Sequence, residues 1–422
     1  MAEHSERILV ACRGVEARRL LRSIADRGLE CVVMVGANDD DAKWPEKFDY
    51  TMFALNDDPS ASDVVGLALD AGCDAIHPGW GPLARQEDLA GRAQTVGLIS
   101  VGPSLAHLQL AADGGRVRDI AAELDIPVVP GSDPCADIVD ADRWLSLVGY
   151  PCTARHFGDM ESSPVIILDA ESGRQRLIEM IEDGPIVLER LVQSAREIEV
   201  LVVGQPSGEA LTLGERETSI RIDGRRALIE APAINLEARE AFSFRNAAAM
   251  LISRLRWPGL VSVRFLLTPD GRAYLLRLRP GLQPWHAVTE EILGIDLVDA
   301  QLRIAAGEEL GWEPHHFEEN GHAFCMRMFA QGEEEARIQS ISLPDDVRQL
   351  RGFEAGDTVS PGEELAQLVV LAPTRQAAFV RARAVLDRVA VEGVETNLDK
   401  LKAIFDREQL WVGPLDRDQF EP

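Results

Sequence analysis

Alternating apolar and polar positions predict a β-strand at residues 274–279, followed by a loop and a helix. The period-two repeat places Arg277 and Arg279 on the same face of this strand. Pro280-Gly281 ends the predicted strand. Thr289-Glu290-Glu291 then predicts a helix start, because a hydroxyl can cap the first turn and acidic side chains favour the positive end of the helix dipole.

The start of the chain shows a strand, a helix and a second strand. A short apolar strand is predicted at 7–12, apolar residues at helical spacing follow over 17–24, and Gly28 stands where that helix would end. A second apolar strand is predicted at 31–35. This order within about thirty residues predicts a parallel sheet with a right-handed crossover.

Two further strands, near 75–81 and 98–103, each run into a glycine turn. Residues 1–112 are therefore interpreted as one doubly wound α/β domain. The phosphate fingerprint GxGxxG is missing after the first strand, so the pattern does not predict a nucleotide site in this domain.

Capping residues delimit two helices in the second half of the chain. Asp296 is predicted to cap a helix that Gly307 ends, and Thr374 is predicted to cap the last long helix. The acidic run at 333–335 predicts an exposed loop. Residues 412–422 are polar and contain proline, which predicts a loosely held tail.

Composition narrows the class of protein. A chain of 422 residues with 46% hydrophobic residues is typical of a soluble globular protein with two or three domains. The net charge of −27 argues against a nucleic-acid partner, which needs a basic face. We expect a cytoplasmic location, because the start lacks a secretory signal, no apolar run reaches membrane length, and the 6 cysteines are far apart without a CxxC pair.

Several short phrases of the chain follow one another in a fixed order. They are Ile76-His77-Pro78-Gly79-Trp80-Gly81, Val129-Pro130-Gly131-Ser132-Asp133, Glu230-Ala231-Pro232-Ala233, Val288-Thr289-Glu290, Gly294-Ile295-Asp296-Leu297, the run 301–307, Gly321-His322-Ala323 and Gly393-Val394-Glu395-Thr396-Asn397. In this order and spacing they resemble phrases of biotin carboxylases, the ATP-grasp enzymes that carboxylate biotin. The strand, loop and helix start at 274–290 resemble the active-site segment of the same family.

The resemblance covers nearly the whole chain and implies its fold. It implies an α/β protein of the biotin carboxylase type. Residues 1–112 would form the N-terminal doubly wound parallel-sheet domain, residues 113–200 a small ATP-grasp lid, and residues 201–422 a C-terminal mixed-sheet domain with a polar tail.

The resemblance also implies where a nucleotide would bind. The cofactor-binding positions of the family fall at Arg155, Glu189, Arg190, Val192 and Leu266. Arginine in place of the family's lysine can still bind phosphate. Backbone contacts along the adenine hinge, at 189–192, tolerate changes of side chain.

Three phosphate-binding features of the family are replaced or absent. The lysine at the lid hinge is replaced by Gly114, and a lysine near the phosphates is replaced by Arg226. The glycine-rich loop falls at 157–163, which has one glycine and two acids. This segment offers neither the permissive backbone nor the cradle of amide groups, and its carboxylates would repel a triphosphate.

The family's metal and base positions hold other residues here. Its two magnesium-binding glutamates fall at Arg264 and Arg277, and a guanidinium has no lone pair to give to a metal. The catalytic glutamate falls at Trp285, the bicarbonate arginine at Gly281 and an asparagine at Arg279. We therefore expect no catalytic residue, no metal site and no bound cofactor, with a metal-free nucleotide as an open alternative.

Eight arginines map to this cleft although the chain as a whole is acidic. They are Arg155, Arg190, Arg221, Arg225, Arg226, Arg264, Arg277 and Arg279. In one interpretation they pair with acidic residues across the cleft and hold the lid closed. In the other, a metal-free anion site uses guanidinium groups for neutralisation, with Arg225, Arg226, Arg264, Arg277 and Arg279 as candidate ligands.

Three functions remain open from the sequence. We expect a noncatalytic partner of an active biotin carboxylase or of an acyl-CoA carboxylase of fatty acid metabolism. It would assemble as a homodimer or heteromer through its C-terminal domain and its first helix, where Arg13-Gly14, Glu16 and Arg19 preserve part of the family's dimer segment. The alternatives are a regulator that senses a nucleotide or an acyl-CoA-like anion, and an ATP-dependent ligase with a rearranged site.

Overall fold

A computed structural model describes residues 7–35, 50–54, 59–158, 164–313 and 317–413. These residues form a five-stranded parallel sheet, a three-stranded sheet, an eight-stranded antiparallel sheet and three short strand pairs. Across these ranges, no helix is both long and apolar enough to cross a membrane.

The N-terminal region is built on the five-stranded sheet, in the order β3-β2-β1-β4-β5, with every neighbouring pair parallel. Its strands are β1 (Arg7–Val10), β2 (Glu30–Val35), β3 (Tyr50–Ala54), β4 (Ala75–His77) and β5 (Ile99–Ser100). Its helices are α1 (Gly14–Asp26), α2 (Ala61–Asp70), α3 (Glu87–Thr95) and α4 (Leu105–Ala112), with a 3-10 turn at Pro82–Arg85.

Both faces of this sheet are covered, as a doubly wound fold requires. Ile8 and Val10 lie in an apolar cluster with residues of α1, whereas Leu9 and Ala11 lie in a separate cluster with residues of α2 and α3. Side chains that alternate along this buried parallel strand thus pack against a helical layer on each face of the sheet. The predicted fold class is confirmed for this region.

A smaller unit follows, with an antiparallel sheet in the order β7-β6-β8. Its strands are β6 (Cys152–His156), β7 (Val165–Ile167) and β8 (Ile186–Arg190). Its helices are α6 (Ile138–Val148) and α7 (Ala170–Glu182), whereas the preceding helix α5 (Gly114–Glu123) packs with the eight-stranded sheet. Apolar residues of α6 and α7 pack on β6 and β8 in one cluster, which makes this unit a separate small layer. We call the three-stranded sheet with α6 and α7 the lid.

The rest of the chain is organised by the eight-stranded antiparallel sheet, in the order β15-β14-β9-β10-β13-β16-β21-β19. The strands from here onward are β9 (Arg196–Gly204), β10 (Ala210–Glu217), β11 (Arg221–Ile222), β12 (Arg225–Arg226), β13 (Leu228–Ala231), β14 (Gly259–Leu267), β15 (Ala273–Pro280), β16 (His322–Phe329), β17 (Ala336–Arg337), β18 (Ser340–Ser342), β19 (Arg348–Arg351), β20 (Thr358–Val359), β21 (Glu364–Ala372) and β22 (Ala390–Glu392). The helices are α8 (Ala238–Leu255), α9 (Ala287–Leu293), α10 (Leu297–Ala305), α11 (Arg375–Asp387), α12 (Leu398–Phe405) and α13 (Glu408–Val412).

Two of the three predicted helix starts agree with the structure. The side chains of Asp296 and Thr374 each accept a hydrogen bond from the backbone N–H three residues later and cap α10 and α11. The predicted start at Thr289 is wrong, because α9 begins at Ala287 and its N-cap is His286. The turn after β15 closes within a few residues, so the helix begins before the hydroxyl that resembled a cap.

Other local predictions have mixed outcomes. The acidic run at 333–335 is an exposed loop, as predicted, and all six cysteines are buried and free. The tail predicted at 412–422 lies outside the described residues from 414 onward. Residues 159–163, most of the segment where the family's glycine-rich loop is predicted to be absent, also lie outside them.

Candidate functional site

One face of the eight-stranded sheet carries paired charges at its β9, β14 and β15 end. Along β9, Ile198 belongs to the apolar cluster formed with α8, whereas Glu197 and Glu199 alternate with it and lie on the opposite face. On β14, Arg264 is the register partner of Glu199 on one side and of Arg277 on the other. Cross-strand partners share a face, so acids and arginines meet here in the interior of the protein.

Glu197 is the centre of the first group of charges, and its side chain is only 4% exposed. Its carboxylate accepts hydrogen bonds from Arg226 at 2.5 Å, from Arg221 at 3.2 Å and from Arg264. Arg221 and Arg226 come from the β11–β12 hairpin, whereas Arg264 comes from the central sheet. The group therefore ties the hairpin to the sheet. Three cations share this one carboxylate.

The electrostatics of this group follow from burial and crowding. Burial alone would raise the pKa of Glu197, but Arg226, Arg264 and Arg221 hold that pKa well below its usual value. Burial and the neighbouring guanidinium of Arg264 lower the pKa of Arg226 to about 9. Burial lowers the pKa of Arg264 to about 10, and the charge of Arg279 contributes to the shift. One buried carboxylate does not fully compensate the surrounding cations.

Glu189 is the centre of a second group, between the lid and the central sheet. Arg155 donates a hydrogen bond to its carboxylate from the neighbouring strand of the lid. Arg277 of β15 and Arg118 of α5 lie at 3.7 Å and 3.9 Å from the same carboxylate, beyond hydrogen-bond distance. This group connects the lid to α5 and to the eight-stranded sheet, and it again places three guanidinium groups around one acid.

Trp285 occupies the position where the resemblance places the catalytic glutamate. The indole is buried, and its N–H donates a hydrogen bond of 2.9 Å to the carboxylate of Glu199. Glu199 also accepts from Arg216 and from the hydroxyl of Ser262. The guanidinium of Arg226 lies over the indole ring, 5.3 Å from its centroid, in a cation–π contact. These contacts make Trp285 a packing residue of the charged sheet face.

The other predicted residues divide into an apolar set and a peripheral set. Leu266 is buried in a small apolar cluster, and Val192 packs against the same cluster, so the structure brings these two predicted nucleotide-binding positions together. Arg190 is exposed at the end of β8, and Arg225 is exposed with its guanidinium 5.8 Å from the Phe329 ring centroid. Arg190 and Arg225 therefore stand apart from the buried charges.

A third charged group lies behind the loop that carries Trp285. The buried carboxylate of Glu290 accepts from Arg19 at 2.8 Å and also from Arg348. Arg19 additionally donates to Asp296 at 2.9 Å. Arg19 thus points into the protein, where it joins the N-terminal domain to α9 and α10. Arg19 belongs to the segment of α1 that resembles the family's dimer segment, and its own side chain is buried inside the chain.

The side chains present do not fit a magnesium ion. Arg264 and Arg277 stand at the positions of the two implied metal ligands, and both guanidinium groups lie beside carboxylates. Glu197 and Glu199, the nearest acids on the sheet face, are each bound by arginine. Throughout the described ranges, no group of three or more His, Cys, Asp or Glu is placed to hold a metal ion.

Sequence reasoning missed Glu197 and Glu199, the two acids on which this site depends. The available signal was the alternation Arg196-Glu197-Ile198-Glu199-Val200, which at period two places both acids on one face of a strand. That pattern alone is also typical of a strand with one solvated face. Only the fold shows that this face is buried and faces arginines from distant segments.

Comparisons with known proteins match almost the whole chain. Residues 4–108 match the family model for the biotin carboxylase N-terminal domain, and residues 113–312 match the model for the ATP-binding domain of the carbamoyl-phosphate synthase L chain. Biotin carboxylase 2 of Bacillus subtilis is 28% identical over 420 residues, which cover 94% of each chain.

A second relative is the 2-oxoglutarate carboxylase small subunit of Hydrogenobacter thermophilus, 26% identical over 94% of this chain and 89% of its own length. The crystal structure of the biotin carboxylase domain dimer of that organism's 2-oxoglutarate carboxylase superposes with a TM-score of 0.93 at 25% identity, over 98% of this chain and 97% of that one. That crystal structure contains MgADP, ADP and bicarbonate.

Proposed function

This chain belongs to the biotin carboxylase family, and from that premise we propose that it is a noncatalytic member. We propose that it keeps the fold without ATP-dependent carboxylation of biotin. Its role would be that of a structural or regulatory partner of an active biotin carboxylase or of an acyl-CoA carboxylase complex.

The observation that carries this proposal is the identity of the residues at the reaction centre. Two arginines stand where the family places its metal ligands, and a buried tryptophan bonded to Glu199 stands where it places its base. A metal that neutralises the phosphates and a base that removes a proton each contribute orders of magnitude to rate. Loss of both is incompatible with useful turnover.

A partner role is supported by what the chain retains. The buried ion pair of Arg19 with Glu290 and its partly buried pair with Asp296 join the N-terminal domain to the C-terminal region, and one apolar core cluster contains residues of both. The related Hydrogenobacter domain forms a dimer, and the related small subunit belongs to a larger carboxylase. We infer that this chain assembles in a comparable way, with itself or with an active subunit.

The assembly test uses light scattering at micromolar concentration and co-purification from the native cell. We expect a dimer, or a stable complex with a carboxylase subunit. Arg22 is exposed on α1, so Arg22→Glu should weaken an assembly that uses this helix. Arg176→Glu, on the exposed side of α7 in the lid, changes the charge equally and should leave assembly intact. A monomer that co-purifies with no carboxylase subunit would contradict the partner role.

The activity test measures ATP hydrolysis that depends on biotin, bicarbonate and Mg²⁺, beside an active biotin carboxylase as positive control. We expect the protein to match a buffer blank. Hydrolysis above the blank would favour the alternative of a ligase with a rearranged site.

A further inference from the structure

The two arginine groups hold more positive charge than the acids within them can neutralise. Glu197 is shared by three guanidinium groups and Glu189 by another three. The six arginines are Arg221, Arg226 and Arg264 in the first group, and Arg118, Arg155 and Arg277 in the second. The chain as a whole carries −27. A surplus of cationic side chains at the boundary between the lid and the eight-stranded sheet destabilises the fold unless a bound anion neutralises it.

Hydrogen-bond donors in these groups are also in excess. The Nε–H groups of Arg226 and Arg264 are buried and have no acceptor within the described residues. Arg277 approaches Glu189 only to 3.7 Å, and its side chain is 15% exposed. Buried donors without acceptors are uncommon and point to a missing partner. The side chains of Arg277 and Arg221 are 15% and 17% exposed, so one arginine of each group reaches solvent.

The two groups are adjacent in the sheet. Arg264 and Arg277 are register partners on neighbouring antiparallel strands, so each stands directly opposite a like charge. Such a pair is unfavourable by itself. A multivalent anion placed between the groups would contact both and relieve this repulsion, whereas a single carboxylate carries too little charge to offset the surplus.

We propose that the arginine groups around Glu197 and Glu189 bind a phosphate-bearing polyanion directly, without a divalent metal. Guanidinium forks hold phosphate oxygens through paired, charge-assisted hydrogen bonds. The inference rests on the proposed loss of the magnesium site, because guanidinium groups here take over the neutralisation that a metal would supply. The group that would bind is a diphosphate, and both free pyrophosphate and a nucleoside diphosphate contain this group.

The test titrates the full-length protein with pyrophosphate and, separately, with ADP by isothermal titration calorimetry in EDTA at low ionic strength. We expect saturable binding of pyrophosphate that excess EDTA does not weaken. Tighter binding of ADP than of pyrophosphate would identify a nucleotide as the source of the diphosphate and would support the proposal equally. Arg277→Gln should weaken binding about tenfold to a hundredfold, the loss of one charge-assisted contact.

The matched control is Arg254→Gln, which removes an exposed arginine paired with Glu123 far along α8 and should leave the affinity unchanged. Absence of pyrophosphate binding, equal losses in both variants, or binding that requires Mg²⁺ would each overturn the proposal. With no binding, the arginines would serve only to hold the lid on the sheet. These outcomes are independent of ATP turnover, so the anion site can fail while the noncatalytic function stands.

Discussion

Glu197→Gln should destabilise the protein strongly, because three arginines depend on this one carboxylate. The substitution keeps the shape of the side chain and one acceptor oxygen but removes the negative charge. Arg226 and Arg264, both nearly fully buried, would then lose the carboxylate that accepts their hydrogen bonds, and only the charge of Glu199 would oppose their mutual repulsion. Removing one partner of a buried ion pair costs about 3–5 kcal/mol in free energy of unfolding.

The assay is urea-induced unfolding followed by circular dichroism at pH 7. The control is Glu30→Gln, because Glu30 forms an exposed pair with Arg7 at 3.5 Å. Such a surface pair contributes about 0–1 kcal/mol. The double variant Glu197→Gln with Arg264→Met should recover about 1 kcal/mol or more, since it also removes one unpaired charge. If Glu197→Gln lies within about 1 kcal/mol of wild type, the inferred dependence of the cluster on this carboxylate is wrong.

Three further outcomes are expected. Burial lowers the pKa of His77 to about 3 and the pKa of His286 to about 4. Because these histidines bind protons more readily in the unfolded state, the free energy of unfolding should fall as the pH drops below about 6.5. Urea midpoints at pH 7, 5.5 and 4.5 measure this fall. Burial raises the pKa of Glu16 to about 7, so ionisation of this carboxyl should lower the free energy of unfolding as the pH rises from about 4.5 to 7. Glu16→Gln removes the ionisation and should be at least as stable as wild type in urea unfolding at pH 8. Arg264→Glu combined with Arg277→Glu should abolish pyrophosphate binding in calorimetry without creating ATP turnover, because the catalytic base is still missing.

Local structure was largely predictable from the residues. The strand over 274–279 lies within β15, with Arg277 and Arg279 at alternate positions as its period indicates. Asp296 caps α10 because its short carboxylate side chain can accept a hydrogen bond from the backbone N–H of Asp299 in the first turn of the helix. The error at Thr289 has the opposite cause, since a loop that closes early starts a helix without any side-chain cap.

The partners in the buried ion pairs could not be predicted from the local sequence. Glu197 and Arg226 meet across 29 positions of sequence, and Glu197 and Arg264 across 67. Neither residue type nor spacing indicates which of the chain's 70 acidic residues would lie beside which arginine. Sequence indicated an unusual set of arginines and left two interpretations open. The fold supplies the ion pairs of the first interpretation together with the surplus charge that motivates the second.

Single-turnover cleavage of ATP tests the loss of the reaction most directly. Purified protein in excess is mixed with γ-phosphate-labelled ATP, Mg²⁺, saturating bicarbonate and free biotin, so that even one slow turnover becomes visible. We expect phosphate release at the rate of the buffer alone, with or without bicarbonate. Release that scales with protein concentration and increases with bicarbonate would contradict the noncatalytic assignment.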